Sequence, residues 1–309
     1  MTTKKPVYIL SGFLGSGKTT LLKQLIKFEK DQSRKPAVLM NEAGSVSIDS
    51  SEVDEGIPLA ELLDGCICCT IQEKLESQLQ SLLIKEEFDS LIIETTGAAH
   101  PVEVVDSVMS PLFAHHFDFK GIVTIVDVHQ WSNRSAFPVQ VLQLMREQVR
   151  HAGVILLNKT DLINDMQAAS IVGELQEINP DAQIIMTTYS SVNPSVLHSL
   201  GYNRKESVSV RADKDLNLNT VVYTFNHRIN RHAFEEWLKA QPDHIYRIKG
   251  FVPFEDEKYP VLFQYSYGMP LYFLQDMNMP TNLVVIGSGL DKKLVADSLL
   301  ELEQKHESG

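Results

Sequence analysis

Three groups of residues in this sequence have types and spacings suited to chemistry. The first, Gly12-Phe13-Leu14-Gly15-Ser16-Gly17-Lys18-Thr19, has the pattern of a phosphate-binding loop. Gly12, Gly15 and Gly17 let backbone N–H groups, Ser16 among them, converge on phosphate oxygens. The helix beginning at Lys18, Thr19 and Thr20 adds the positive end of its dipole. Lys18 is spaced to reach the β- and γ-phosphates, and the Thr19 hydroxyl to ligate Mg²⁺. The second group, Asn158-Lys159-Thr160-Asp161, follows the apolar run Val154–Leu157. A carboxylate at Asp161 can accept two hydrogen bonds from guanine's edge. Adenine lacks that donor pair and would leave the carboxylate partly unpaired. Asn158 is expected to hold the loop and contact the base, with the Lys159 stem over the base face. Together the two groups select GTP. An acid at a strand end must help organise Mg²⁺. Glu94, followed by Gly97, has the better claim because a close-approach glycine suits γ-phosphate sensing, and Asp127 is read as structural or supporting.

The third group is Cys66, Cys68 and Cys69, the chain's entire supply of cysteine. Thiolates are soft ligands for Zn²⁺ or Cu(I), and three of them leave one coordination position open, as transfer or catalysis requires. The competing readings are small buried side chains and a redox pair. An odd, clustered set excludes a disulfide framework and points to a reducing cytoplasm.

Elements that could position these groups are visible in the hydrophobic pattern. Apolar runs at Val7–Leu10, Ala37–Met40, Ser90–Ile93, Ile122–Val126, Val154–Leu157 and Gln183–Met186 alternate with helical stretches near Lys18–Lys30, Ile71–Glu87, Val139–Arg150 and Asp165–Ile178. Near-continuous apolar strands imply burial on both sheet faces, hence an α/β class P-loop domain of three layers with a mostly parallel sheet. A polar stretch at 202–216 reads as a linker. Residues 1–201 then form the nucleotide-binding domain and 217–309 a small α+β domain. In the latter, strands are expected at Thr220–Phe225, His244–Ile248, Val261–Tyr267 and Leu283–Ile286, with helices at Arg231–Leu238 and Asp291–Gln304. A hydrophobic content of 43% excludes disorder for most of the length. The net charge of −12 argues against nucleic-acid or anionic-membrane binding. No run reaches the ~18 apolar residues of a membrane span.

The phosphate loop with Lys18-Thr19-Thr20, then Gly65–Cys69, Ile93-Glu94-Thr95-Thr96-Gly97 and Asn158–Asp161, resembles in content and order the CobW-type metallochaperone P-loop GTPases. Arg247-Ile248-Lys249-Gly250-Phe251 is similar to the signature of that family's C-terminal domain. The resemblance covers nearly the whole chain. It implies a cytoplasmic GTPase that couples GTP binding and hydrolysis to handling zinc or cobalt and delivers the metal to a client metalloprotein. The alternative is a metal-responsive, GTP-dependent interaction module without transfer. One departure stands out: the family's switch segment Asn-Glu-Phe-Gly-Glu is here Asn41-Glu42-Ala43-Gly44-Ser45. Glu42 and Asp49 remain as accessory acids, and His100 is a candidate lining residue of the nucleotide site. No arginine or glutamine is obviously placed for catalysis, so turnover is expected to be slow unless a metal, a homodimer or a partner completes the site. In the C-terminal domain Arg247, Lys249, Tyr246, Phe251 and Phe254 are candidates for a docking face, with Lys249-Gly250 alternatively a turn at a strand end.

Overall fold

The computed structural model describes residues 4–40, 59–61, 71–193, 218–266 and 268–304. Cys66, Cys68, Cys69, Glu42, Asp49 and the expected linker lie outside the described residues. Packing divides the chain into two units. One comprises Lys5–Ser107 and Phe119–Asn217, the other Met1–Lys4, Val108–Asp118 and Leu218–Gly309.

In the first unit β1 (Lys5–Ser11), β2 (Pro36–Met40), β3 (Leu59–Glu61), β4 (Ser90–Glu94), β5 (Phe117–Asp127), β6 (Val154–Asn158) and β7 (Gln183–Met186) build one sheet. Its order is β3-β2-β4-β1-β5-β6-β7. The β1/β4, β2/β4, β2/β3, β5/β6 and β6/β7 pairs run parallel. The helices are α1 (Lys18–Asp31), α2 (Ile71–Lys85), α3 (Pro101–Val108), α4 (Val128–Ser132), α5 (Val139–Arg150) and α6 (Asp165–Ile178).

Strand β6 shows why the sequence folds this way. Val154 and Leu156 join a core with Leu21, Leu22 and Leu25 of α1. Ile155 and Leu157 point to the opposite face, into a core with Met145 and Val149 of α5 and Ile171 and Leu175 of α6. A period of two on a strand buried on both faces produces the continuous apolar run seen in the sequence. The three-layer P-loop architecture follows. The strand order reverses at β1, so its carboxyl end opens into the crevice where such sheets bind ligands. α6 starts at a capping box in which Asn164 and Gln167 satisfy each other's backbone N–H groups.

In the second unit β8 (Leu218–Thr224), β9 (Ile245–Val252), β10 (Val261–Ser266), β11 (Met269–Phe273) and β12 (Asn282–Ser288) form a sheet of order β11-β10-β9-β12-β8. Its neighbouring strands pair antiparallel. Residues of α7 (Arg231–Lys239) and α8 (Lys292–Gln304) pack on one face, where Phe234, Trp237 and Leu299 meet Ile248, Phe263 and Val285. Buried Glu303 of α8 accepts from Asn226 N and His227 N at 2.7 Å each and from the Tyr223 hydroxyl.

The structure corrects two expectations here. Lys249-Gly250 is not a turn: β9 continues through Val252, and Gly250 sits inside it because its backbone presses on β12. A Cβ there would lie 2.6 Å from Leu283 Cα. Nor do the aromatics form an exposed face. Phe251 and Phe254 are buried, with Phe254 under the Arg231 guanidinium at 4.3 Å. Exposed apolar side chains of this unit include instead Met269, Leu271 and Phe273 on β11, Leu274 and Met277 after it, and Leu294 and Leu300 on α8. Gly250→Ala should therefore lower the urea midpoint, by roughly 1–3 kcal/mol in stability, because the strands cannot separate cheaply. Gly173→Ala, in α6 with nothing within 4 Å of the added carbon, should raise stability by about 0.5–1 kcal/mol.

Candidate functional site

The phosphate loop turns where only glycine turns easily. Gly12, Gly15 and Gly17 have φ of 135°, 74° and 114°, all in the region that penalises a Cβ. Two of them are also crowded. Gly12 abuts the Ile125 carbonyl of β5, and a Cβ on Gly17 would lie 2.5 Å from both Asn158 Nδ2 and Ser190 Oγ. Helix α1 starts directly after Gly17 with no side-chain cap, so its first N–H groups are left to face the loop. Ser16 Oγ is buried and has no hydrogen-bond partner among the described residues. The cradle fits a phosphate: oriented N–H groups, an orphaned hydroxyl and no side chains in the way.

Lys18 lies inside this loop, its Nζ donating to Gly12 O at 2.9 Å and Phe13 O at 3.1 Å. Burial pushes its pKa below the usual lysine value, and the charge of Glu94 opposes that shift. The Thr19 hydroxyl donates to Glu94 Oε1 at 2.7 Å, so an alcohol and a carboxylate 75 positions apart meet where β4 ends. Hard oxygen ligands of this kind suit Mg²⁺. Asp127 does something else. Its Oδ1 caps α4 through His129 N and Gln130 N, and its Oδ2 pairs with Lys159 Nζ at 2.6 Å.

The Asn158–Asp161 turn is bound to the phosphate loop through two side chains. Asn158 Nδ2 donates to Ser16 O at 2.8 Å and to Ser190 Oγ at 3.0 Å, and Asn158 Oδ1 accepts from Ser190 N at 2.8 Å. Lys159, in the left-handed region at φ 63°, donates from Nζ to Gly15 O at 3.0 Å. Both amide hydrogens of Asn158 thus serve the protein, and Asp161 stays exposed in the short helical turn Thr160–Leu162.

Ser190 was not singled out from the sequence. Its Oγ also donates to Gly17 O at 3.0 Å. Tyr189 and Ser190 both have positive φ, a strain that marks the loop but cannot be read from residue types. Gly97 approaches the phosphate loop so closely that a Cβ would lie 2.5 Å from Leu14 N. His100 is placed at the start of α3, where Nδ1 accepts from Val102 N at 3.3 Å, and its ring is 6.3 Å from that of His151. Burial holds the His100 pKa below its ordinary value, partly offset by Glu103.

The Asn158–Ser190 contact is open to a double-mutant cycle. Asn158→Ala leaves buried groups of two loops unpaired and should cost roughly 1–3 kcal/mol. Ser190→Ala should cost less. Adding it to Asn158→Ala should add little, giving a coupling of about 0.5–3 kcal/mol in urea unfolding. Strict additivity would mean that the two loops are not tied by this pair.

Comparison with known proteins places these features in a family. The model of the CobW/HypB/UreG nucleotide-binding domain matches residues 6–186, and that of the cobalamin synthesis protein cobW C-terminal domain matches residues 218–303. Zinc chaperone YjiA of Escherichia coli (strain K12) is 29% identical over 294 residues, 89% of either chain. Zinc-regulated GTPase metalloprotein activator 1 of Dictyostelium discoideum is 31% identical over 224 residues. That match covers 61% of this chain and 47% of the Dictyostelium protein, so this chain spans about half the length of that relative. The crystal structure of Zn(II)-bound YjiA GTPase from E. coli shares the fold, with a TM-score of 0.52 at 23% identity over 97% of this chain and 99% of that one. With one domain model over the phosphate loop and sheet and another over the antiparallel unit, the chain belongs to the CobW family of P-loop nucleotide-binding proteins.

Proposed function

We propose that this chain binds and hydrolyses GTP, holds a transition metal through Cys66, Cys68 and Cys69, and delivers that metal, zinc or cobalt, to a client metalloprotein. The observation that carries the nucleotide part is the bonding of the Asn158–Asp161 turn to the phosphate loop through Ser16 O and Gly15 O. It supports the reading that Asp161, in the same turn, selects guanine beside a phosphate cradle. The metal part is supported by the thiol cluster, by family membership, and by relatives named zinc chaperone and zinc-regulated GTPase metalloprotein activator. Zinc is the better-supported cargo.

The residues divide the work. Gly12, Gly15, Ser16, Gly17 and Thr20 line the start of α1 and would bind phosphate oxygens, while the Lys18 ammonium offsets their charge. Thr19 and Glu94 would hold Mg²⁺, which when bound neutralises charge on the β- and γ-phosphate oxygens. Gly97 contributes backbone close to the loop, and Asp161 reads the base. Asn158 and Lys159 hold the base turn in register. Arg34, Arg134 and Arg150 in this unit pair with Glu29, Glu174 and Glu147, while Arg146 is exposed on α5; slow intrinsic hydrolysis is the expectation unless a metal, a homodimer or a partner completes the site. The exposed β11 residues Met269, Leu271 and Phe273, with Leu274 and Met277 just beyond them, are an apolar surface the C-terminal unit can offer a client, and residues 217–309 are the part whose deletion would remove it.

Nucleotide competition tests this reading. Wild-type protein should bind GTP at least about tenfold more tightly than ATP, since unpaired hydrogen bonds at the base edge cost roughly 1–3 kcal/mol. Asp161→Ala should bring the two affinities together, whereas Lys18→Ala should weaken both. Equal wild-type affinity for GTP and ATP would contradict the assignment.

A further inference from the structure

Helix α5 carries a glutamine that the site described so far does not use. Gln148 is 1% exposed, and a buried amide is costly unless its hydrogen bonds are made. Its Nε2 donates to Gly97 O at 3.1 Å and is 3.5 Å from Ala99 O. Its own carbonyl accepts from Thr124 Oγ1 of β5 at 2.8 Å, which fixes the helix turn that presents the side chain. The gripped loop is held from its other side as well. Thr95 donates from N and from Oγ1 to Leu10 O at 3.0 and 3.1 Å, and Gly97 lies against Leu14 of the phosphate loop. Gln148 also lines a small cavity with Phe13, Asp127, Gln130 and Met145, so it stands behind the phosphate loop and beside the glycine loop at once.

We propose that Gln148 is a positioning residue that fixes the backbone at Gly97 for contact with the terminal phosphate of a nucleoside triphosphate. The proposal rests on the reading of residues 12–19 as the phosphate site. A glycine placed for close approach gains nothing from its freedom unless something else fixes its peptide planes. The donor on Gly97 O does so from a helix packed in the core. The loop at 12–19 offers its own N–H groups to the diphosphate portion, whereas the Gly97 peptide is set by Gln148. Gln148 therefore discriminates triphosphate from diphosphate rather than supporting nucleotide binding in general.

The test uses the full-length protein and displacement of a fluorescent GDP. Gln148→Met keeps length and approximate volume but cannot donate. In this variant the Kd for GDP should stay within about twofold of wild type, while affinity for a non-hydrolysable GTP analogue relative to GDP falls about tenfold. Gln148→Glu adds a pH signature. Its ionised carboxylate only accepts and would face two carbonyl oxygens, whereas its protonated form can donate. Burial raises a carboxyl pKa, so the lost discrimination should return in Gln148→Glu between pH 8 and pH 6, with no such recovery in Gln148→Met. An unchanged analogue-to-GDP ratio in Gln148→Met overturns the proposal, as does an equal loss for both nucleotides, which is what a purely structural role produces. Should Gln148→Met fail to fold, the pH dependence of Gln148→Glu decides alone. A wild type that binds neither nucleotide removes the phosphate-site reading and the clamp with it. A wild type that binds both beside an indistinguishable Gln148→Met removes only the clamp.

Discussion

The nucleotide-binding unit depends on one buried amide. Asn158 ends β6, and its side chain ties together the phosphate loop after β1 and the loop after β7, through Ser16 O, Ser190 Oγ and Ser190 N. These three segments are 142 and 32 residues apart in sequence, and an amide with all its bonds made inside the protein holds them at fixed distance. The absence of a side chain at Gly17 is part of the same constraint, since a Cβ there would occupy the space of the Asn158 amide and the Ser190 hydroxyl. Aspartate at 158 would lose both donors, and a longer side chain would displace Ser190. The tie between the Asn158–Asp161 turn and the phosphate loop thus rests on the size and hydrogen-bonding capacity of Asn158, with Lys159 adding a second bond to Gly15 O.

A second constraint acts on the opposite side of β1. Glu94 ends β4, the neighbour of β1 in the sheet, and Gly97 follows it; they meet the phosphate loop at Thr19 and Leu14. α5, reached through β5, holds this loop from behind through Gln148. The phosphate loop is therefore gripped from the β4 side by the Glu94–Gly97 segment and from the β6 side by the Asn158–Asp161 turn. The first is secured by Gln148 of α5 and the second by Ser190 of the loop after β7, so different elements hold the two.

Much of this was legible in the sequence, for identifiable reasons. Strands buried on both faces produce continuous apolar runs, so β1, β2, β4, β6 and β7 fall where the pattern placed them. Glycine spacing in the phosphate loop reflects local backbone geometry and needs no tertiary information. Ser190 and Gln148 were invisible because their roles come from contacts 32 and 51 residues away, and serine or a helical glutamine is unremarkable locally. β11 escaped because its outward side chains Met269, Leu271 and Phe273 are apolar and exposed, the reverse of the alternation that marks a half-buried strand. Phe251 and Phe254 looked like surface aromatics beside Arg247 and Lys249, but strand β9 and the stretch after it bury them. The short α3 and α4, of eight and five residues, are too brief to show a period.

Coupling between nucleotide and metal is the central claim, because a thiol cluster in a GTPase becomes a delivery device only if hydrolysis changes its affinity. The thiols lie in sequence between the phosphate loop and Glu94, and linkage requires that whatever GTP does to metal affinity, metal does to GTP affinity. The direct measurement is Zn²⁺ titration against a competing chelator, on protein loaded with a non-hydrolysable GTP analogue or with GDP. The account predicts tighter binding in the analogue state, by about 5- to 150-fold. It also predicts that the difference disappears when Cys66, Cys68 and Cys69 are all replaced by serine. Identical Zn²⁺ affinity in the two nucleotide states of the wild type would contradict it.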